Sequence, residues 1–365
     1  MGNRGPVMMV SYSDGNMEKL KNKRQIELDL LRVLAMFAVV MVHTCGMNTQ
    51  SIASGESNSV GLTIISASVT WEIPAFIMIS GRFFLDPERE VTMQRIVKAV
   101  VRLCVAFITW DVVYQIYYIL SGTYADLNWK GIISQAIQGP YHFWYIYMMI
   151  GLYLLVPFLR KITESKRLME YFLILFLAFA FLTNYGSLIP GLGDTIRSVL
   201  DQMSFYFVLG FTGYFIAGYY LYRYPLSMRG EIFIYIIGTM FWGGAVALTV
   251  LTSNYSNLSD EMFVKYLTPN VAIESFALYT FFVKRVSKCR FRRKQVLLME
   301  RLSDYSAGIY YIHALTLELF AMAGFSSLMV SPFIMVPLLA LLTVMVSSMM
   351  IYVIRKIPNI GIKIT

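Results

Sequence analysis

Apolar stretches of membrane-crossing length alternate with short polar or basic segments along almost the whole chain. A helix needs about 20 mostly apolar residues to cross the hydrocarbon core, and an open sheet is excluded there because its edge groups would lack hydrogen-bond partners. The pattern predicts an all-α fold, a polytopic helical bundle with about ten transmembrane helices. We place the spans near residues 28–47, 60–85, 96–120, 142–159, 169–184, 203–222, 231–252, 271–285, 305–324 and 332–354.

Composition supports a membrane protein. Of the 365 residues, 57% are hydrophobic and only 15% are charged, whereas about 25% are charged in a soluble domain. No internal repeat and no long linker is evident. We therefore expect one membrane domain, residues 28–355, between a cytoplasmic N-terminal segment (1–27) and a cytoplasmic tail (356–365). The first apolar run is too long for a signal-peptide core, so it should remain as an anchor.

Basic residues indicate the orientation. All but Lys130, Arg197 and Lys265 of the 31 lysines and arginines fall on one side of the predicted spans, and the positive-inside rule makes that side cytoplasmic, with both termini inside. The net charge of +9 is thus a topology signal. The basic run 284–294 (KRVSKCRFRRK) is typical of a loop that faces anionic lipid, so membrane lipid is the expected partner and nucleic acid is not. We expect a multi-pass protein of the cell membrane, the plasma membrane of a bacterium.

Cysteine usage predicts no covalent or metal framework. Cys45, Cys104 and Cys289 lack metal-ligand spacing and would lie at different depths in the membrane. Neither a disulfide framework nor a metal site is expected.

Arg32 and His43 are two ionisable residues in the first apolar stretch. Such residues in a membrane span are functional candidates by default. If the segment is one helix, the two side chains are about 16 Å apart along its axis. The arginine would then lie near one membrane face and the histidine beyond the middle.

Other polar residues divide between the two halves of the predicted membrane. Arginines at inner helix ends are also common as snorkelling anchors, and His142, which precedes three aromatic residues, fits an interfacial aromatic belt equally well. The candidates for proton-handling catalysis, in the middle or outer half, are His43, Glu72, Asp111, His142 and His313. The candidates for holding an anionic cofactor, at the inner mouth, are Arg32, Arg82, Arg95, Lys98 and Arg102.

Four motifs, in order along the chain, resemble the acyltransferase-3 family of integral membrane acyltransferases. The first is an Asp-x-x-Arg pattern followed by a histidine after ten residues, and the others resemble the family's second, fourth and ninth helices. Together they cover most of the chain inside the predicted ten-span frame. They are 28–32 (LDLLR) with His43, 73–81 (IPAFIMISG), 142–145 (HFWY) with 153–157 (YLLVP), and 308–313 (GIYYIH).

The resemblance implies that an acyl group, usually acetyl, moves from cytoplasmic acyl-CoA to a hydroxyl on an extracytoplasmic molecule, usually a cell-envelope carbohydrate. A basic inner mouth would suit the CoA phosphates. A neutral His43 imidazole could accept the hydroxyl proton, oriented by Glu72, Asp111 or Glu318, among which the sequence does not choose.

The chain departs from the family in two respects. Many relatives have Arg-x-x-Arg at the start of the third helix, where this chain has Arg95 and Lys98 and therefore one bidentate donor fewer. Some relatives also carry a soluble hydrolase-like domain after the last span, which we do not expect here.

A proton-coupled transporter or flippase is the alternative function, because ten spans with intramembrane His, Glu and Asp also suit such a carrier. Carriers commonly show paired repeats with interrupted helices. No such pairing is evident in this sequence, which favours the acyltransferase.

Overall fold

The computed structural model describes residues 24–47, 57–186, 189–204, 210–252 and 263–357. Within these ranges the chain forms thirteen α-helices and two short 3-10 helices, and no β-strand. The prediction of an all-α fold is confirmed. The α-helices are α1 (Ile26–Gly46), α2 (Ser57–Ser68), α3 (Glu72–Phe84), α4 (Met93–Leu120), α5 (Trp129–Gln138), α6 (Trp144–Thr163), α7 (Lys166–Tyr185), α8 (Gly193–Met203), α9 (Thr212–Arg223), α10 (Met228–Thr252), α11 (Pro269–Lys284), α12 (Arg293–Met322) and α13 (Pro332–Ile354); the 3-10 helices are Tyr141–Phe143 and Val286–Lys288.

Six segments of the described chain are long and apolar enough to cross a membrane, as expected for a multi-pass membrane protein. The other predicted spans fall on α4, α9, α11 and α12. In the described residues, α9 and α11 have 12 and 16 residues, and residues 205–209 of the predicted span 203–222 lie outside the described ranges. α4 and α12 are longer but begin with basic segments. The count of ten and the cytoplasmic termini therefore stay predictions, and most of the predicted N-terminal segment (1–27) and tail (356–365) lies outside the described residues. The six segments are Ile26–Gly46, Ser59–Phe84, Tyr141–Thr163, Lys166–Tyr185, Met228–Thr252 and Pro332–Ile354.

The second predicted span is interrupted. A turn at residues 69–71 separates α2 from α3. Pro74 lies in the first turn of α3 and has no N–H to donate to the carbonyl of Thr70, so the hydrogen-bond ladder of α2 cannot continue through this point. The interruption places Glu72 at the N-terminus of α3, inside the bundle, where it is 1% exposed.

α1 and α12 lie side by side and run in the same direction. Arg32 Nη1 donates to Ser303 Oγ at 2.9 Å, and about three turns further along both helices the ring centres of His43 and His313 are 5.0 Å apart. Eleven residues on α1 thus match ten on α12, an advance of about 15 Å. We call the Arg32 end of this helix pair inner and the His43 end outer.

α3 and α9 cross with their backbones in contact. A Cβ atom added to Gly81 would be 1.9 Å from the carbonyl oxygen of Phe215, and one added to Gly218 would be 2.0 Å from that of Met78. Both positions therefore require glycine. This crossing gives a packing reason for Gly81 in the segment 73–81.

The turn between α3 and α4 is fixed by a side chain from α6. The Arg160 guanidinium donates to the carbonyl oxygens of Phe84, Asp86 and Arg89 at 3.0, 2.8 and 3.1 Å. Charge-assisted hydrogen bonds of this kind are stronger than neutral ones. The inner end of α4 is thereby held beside α6.

Candidate functional site

All three histidines of the chain meet at the outer part of the α1–α12 pair. The ring centre of His313 is 5.0 Å from that of His43 and 5.0 Å from that of His142, and the His43 and His142 rings are 6.2 Å apart. The three residues come from α1, from the 3-10 turn before α6 and from α12. The structure therefore brings together three predicted catalytic residues that are far apart in the sequence. We call these rings the histidine cluster.

In the described part of the chain, some ring nitrogens of the histidine cluster make no hydrogen bond of good geometry. His313 is fully buried, and its Nδ1 lies 2.7 Å from the carbonyl oxygen of Tyr310. A carbonyl only accepts, so Nδ1 carries the proton and Nε2 presents a lone pair. That Nε2 has no hydrogen-bond partner among the described residues, and neither ring nitrogen of His142 makes a hydrogen bond of good geometry with them. Buried polar atoms without partners are uncommon and mark functional sites.

An outer cavity of about 350 Å³ opens beside His43. Glu318 shares its wall with His43, one turn and a half beyond His313 on α12. Of the three carboxylates between which the sequence did not choose, Glu318 is therefore the one that faces the same space as His43. The lining residues are His43, Gly46, Met47, Tyr141, Ala314, Leu317, Glu318 and Ala321.

An inner cavity of about 180 Å³ lies between the same two helices, nearer their inner ends. Its wall is mostly apolar or aromatic, with tyrosines from α6 and α12 and one cation, Arg32. Tyr310 is at its outer end, where the tyrosine ring centre lies 5.6 Å from that of His142 and 6.1 Å from that of His313. The histidine cluster and Tyr310 thus stand between the two cavities. The inner lining is Arg32, Val39, Ile73, Phe76, Ser80, Leu103, Tyr145, Ile146, Met149, Tyr153, Ser306, Ala307, Tyr310 and Tyr311.

Arg32 is oriented by its neighbours in the bundle. Its Nη1 is 3.2 Å from Asp29 Oδ1 and 2.9 Å from Ser303 Oγ, and Ser303 in turn donates to Asp29 at 2.6 Å. Asp29, 4% exposed, also receives Arg24 Nε at 2.5 Å. Asp29 therefore fixes Arg32 at the wall of the inner cavity, which explains the Asp-x-x-Arg spacing in physical terms.

The other basic candidates on α4 lie at different distances from the inner cavity. Arg102 is exposed and directly precedes Leu103, which lies in the cavity wall. Arg95 and Lys98 are also exposed, two turns or less nearer the helix start, and Arg95 donates to the carbonyl oxygen of Glu90 at 3.1 Å. Arg102 is the one closest to the cavity.

Arg82 is placed differently from the other predicted cofactor-binding residues. It is 6% exposed, its Nη1 is 2.7 Å from Asp86 Oδ2, and its guanidinium carbon lies 3.6 Å from the ring centre of Tyr222. A buried arginine paired with a carboxylate and stacked on an aromatic ring is typical of a structural contact between helices.

Two predicted catalytic carboxylates have partners outside the histidine cluster. Tyr266 donates to Glu72 Oε1 at 2.8 Å, which connects α3 to the segment before α11. Gln115 donates to Asp111 Oδ1 at 2.8 Å on α4. The hydrogen bonds described for these two carboxylates therefore go to Tyr266 and Gln115 and not to His43.

Several residues at the site were absent from the sequence-based set. Tyr310 and Tyr145 contact each other at 5.5 Å between ring centres and line the inner cavity, and Ser303 binds Arg32. Each occurs in a helix rich in similar residues, so its type gave no signal. Helical spacing offers one signal for two of them, because Ser303 and Tyr310 lie on the same face of α12 as His313.

The chain was compared with known protein families, curated proteins and solved structures. A family model described as an acyltransferase domain, that of the acyltransferase-3 family, matches residues 25–353. No curated protein and no solved structure matches the chain. Among the described residues, no group of three or more His, Cys, Asp or Glu side chains has the arrangement of a metal site.

Proposed function

The chain belongs to the acyltransferase-3 family, and on that premise we propose that it is an acyl-CoA-dependent O-acyltransferase. The donor is acetyl-CoA bound from the cytoplasm. The acceptor is a hydroxyl group of a cell-envelope carbohydrate on the opposite side of the plasma membrane, here a bacterial one.

One observation carries the proposal: two cavities approach the histidine cluster from opposite ends of the same helix pair. The inner one has Arg32 in its wall and the outer one has His43 and Glu318. A reaction between two substrates that arrive from different sides of a membrane needs such an arrangement.

The inner cavity suits the donor. Arg32 and Arg102 supply guanidinium groups for the CoA phosphates, and Lys98 and Arg95 add positive charge at the exposed mouth. Beyond them the wall is apolar and aromatic, which suits the thin, uncharged arm that carries the thioester. The thioester carbonyl would then stand next to Tyr310 and the histidine cluster.

The transfer itself needs one proton acceptor and one nucleophile. The acceptor hydroxyl oxygen attacks the thioester carbonyl carbon while His43 removes the hydroxyl proton. A C–O bond forms and the C–S bond breaks. His43 then returns the proton to the departing CoA thiolate, so the products are an ester and free CoA.

The neighbours of His43 have supporting roles. His313 has a fixed tautomer with an available Nε2 lone pair, so it can orient the His43 ring and stabilise its protonated form. Glu318 in the outer cavity adds negative charge that favours the same protonated form. His142 and Tyr310 complete the layer in which the thioester carbonyl is held.

The direct test is the release of free thiol from acetyl-CoA by the purified protein, with and without carbohydrate acceptors. Thiol release that depends on an acceptor, with acetyl recovered on the sugar, supports the proposal. Transport of the sugar across sealed vesicles without thiol release would contradict it and favour a carrier.

The sidedness is tested in the same vesicles. Acetyl-CoA supplied on the face that carries the 284–294 loop should label a sugar enclosed on the other face. Labelling that occurs only when both substrates share one face would contradict transfer across the membrane.

A further inference from the structure

A third cavity, of about 580 Å³, lies apart from the two described above. It is formed by the start of α6, the ends of α7 and α8, the residue before α9 and the segment before α11. By the distribution of basic residues these chain ends lie on the outer side. Its lining is Trp144, Ala180, Thr183, Asn184, Leu200, Asp201, Phe211, Lys265, Tyr266 and Leu267.

From this cavity we infer a binding site for a neutral sugar ring of the acceptor, with Trp144 and Tyr266 as its aromatic platform and Asp201 and Lys265 at its polar edge. The inference rests on the proposed function, because it assigns the place where the acceptor of that reaction binds. It also gives Glu72 a role as a positioning residue.

The aromatic residues form one continuous surface. The Trp144 ring stacks on Tyr266 at 5.6 Å between ring centres with an angle of 29°, and lies 5.7 Å from Phe211 at 34°. Trp144 is 38% exposed. A sugar ring presents an apolar face of C–H groups, which packs well against the face or edge of such aromatic rings.

The polar residues at this cavity suit hydroxyl groups rather than an ion or a lipid chain. Asp201 accepts hydrogen bonds and Lys265 donates them, and both side chains are exposed. With one acidic and one basic side chain, the edge of the cavity has no net charge to select an ion, and an acyl chain would form no hydrogen bonds with either group. A few polar groups around a largely apolar pocket are the usual composition of a small-molecule site, and about 300–1,000 Å³ is its usual size.

The segment that carries Tyr266 is held in place although it is not helical. Tyr214 donates to the carbonyl oxygen of Tyr266 at 2.5 Å, and Asn184 Nδ2 lies 3.2 Å from that of Leu267. The Tyr266 hydroxyl donates to Glu72 Oε1 at 2.8 Å. Three side chains from three helices therefore preorganise the platform, and Glu72 is one of them.

The site is next to the histidine cluster in the chain. Tyr141 lines the outer cavity and Trp144 lines this one, with His142 between them in the same short segment. A sugar held on Trp144 therefore contacts the segment that positions His142. This continuity favours an acceptor subsite over an unrelated ligand site.

The test compares two variants with a control in protein reconstituted in nanodiscs. Trp144→Ala and Asp201→Asn are measured against Trp242→Ala, an exposed tryptophan on α10 outside this cavity. The probes are neutral disaccharides of hexose and N-acetylhexosamine. Binding is followed by saturation-transfer NMR, and acetyl-CoA binding is measured on the same samples.

Wild-type protein and Trp242→Ala should bind a disaccharide, and Trp144→Ala should weaken that binding by about tenfold or more with acetyl-CoA affinity unchanged. In turnover, the acceptor KM should rise while kcat changes less. Absence of disaccharide binding by wild type would overturn the site. Binding by both Trp144→Ala and Asp201→Asn that is as tight as that of wild type would overturn it too. Sugar binding without any thiol release would instead contradict the proposed function and leave the site intact.

Glu72 variants separate positioning from catalysis. Glu72→Gln keeps an oxygen that accepts from Tyr266, so its acceptor KM should stay close to wild type, whereas Glu72→Ala should raise it. If Glu72→Gln loses kcat as completely as Glu72→Ala, Glu72 acts in proton transfer and the positioning role is wrong.

Discussion

Helix α3 takes part in two interfaces that are built in opposite ways. Towards α1 and α12 its residues Ile73, Phe76 and Ser80 leave an open cavity. Towards α9 its backbone is in direct contact through Gly81 and Gly218. Both interfaces lie within one bundle of apolar helices, so hydrophobicity does not distinguish them.

The difference shows how this bundle combines rigidity with chemistry. A close crossing without space fixes one face of α3, and the opposite face can then line a cavity without collapsing into it. Among the described residues, ring nitrogens of His142 and His313 lack a hydrogen bond of good geometry, and both rings lie close to Tyr310 in the wall of this cavity. We therefore expect substitutions on the open side to affect turnover and substitutions at the crossing to affect folding.

The largest effect is expected for His43→Ala, in the histidine cluster beyond the open side of α3. Loss of the proposed general base should lower the rate of acyl transfer by about 10²–10⁴-fold. The yield and thermal stability of the purified protein should stay close to wild type, because a cavity already adjoins this side chain. Turnover and melting temperature are measured on the same preparation.

Asn in place of His43 should fail equally, since an amide does not accept a proton near neutral pH. Near-normal turnover in either variant, at equal membrane abundance, would exclude His43 as the general base and leave His313 as the next candidate for that role.

At the closed interface, Gly81→Ala should destabilise the protein by about 3 kcal/mol or more, because the added methyl group would collide with backbone that cannot move aside. We expect low recovery from the membrane and a lower melting temperature. Gly151→Ala on α6 is the matched control, since its Cβ would meet nothing within 4 Å. That variant should be neutral or slightly stabilised. Equal stability of the two variants would show that α3 and α9 do not cross so closely.

Two arginines test whether the open side holds the donor. Arg32→Gln should raise the Kd for acetyl-CoA by about tenfold, since it removes a charged donor fixed by Asp29 at the cavity wall. Arg95→Gln should raise it by less than about threefold, because this side chain is exposed and screened. Affinity for wild type should fall with added salt. An unchanged Kd for Arg32→Gln would leave Arg32 as a structural partner of Asp29 and Ser303.

The smallest perturbation uses the native cysteines to test which end of the helix pair is cytoplasmic. Cys289 is exposed between α11 and α12, while Cys45 is buried and Cys104 is partly buried. A membrane-impermeant maleimide should label Cys289 only after the cells are opened, and Cys289→Ser should remove that labelling. Labelling in intact cells would reverse the assigned orientation, with both cavities exchanging sides.

The sequence predicted the helical class and the family, whereas the roles of the site residues stay predictions. Arg32, His43 and His313 could be singled out as candidates because ionisable residues are costly in apolar helices and therefore conspicuous. It did not predict that the three histidines meet, since they lie on separate helices and proximity depends on packing. Tyrosines such as Tyr310 could not be singled out in a chain with 25 of them.

Helix boundaries were less predictable than helix existence. Apolar length suggested one span over 60–85, but the turn before Pro74 divides it. Glu72 illustrates the consequence for function. Its charge within an apolar stretch made it a catalytic candidate, whereas its hydrogen bond to Tyr266 depends on a segment almost 200 residues away.

The thinness of the layer between the two cavities has an electrical consequence. If the cavities fill from opposite compartments, most of the transmembrane voltage falls across His43, His313 and Tyr310 rather than across the whole bilayer. A proton that moves through this layer then gains or loses about 2.3 kcal/mol per 100 mV. The closely packed rings would therefore act as an electrical barrier. An opening wide enough for a chain of water molecules would let protons leak across the membrane and dissipate the proton gradient of the cell.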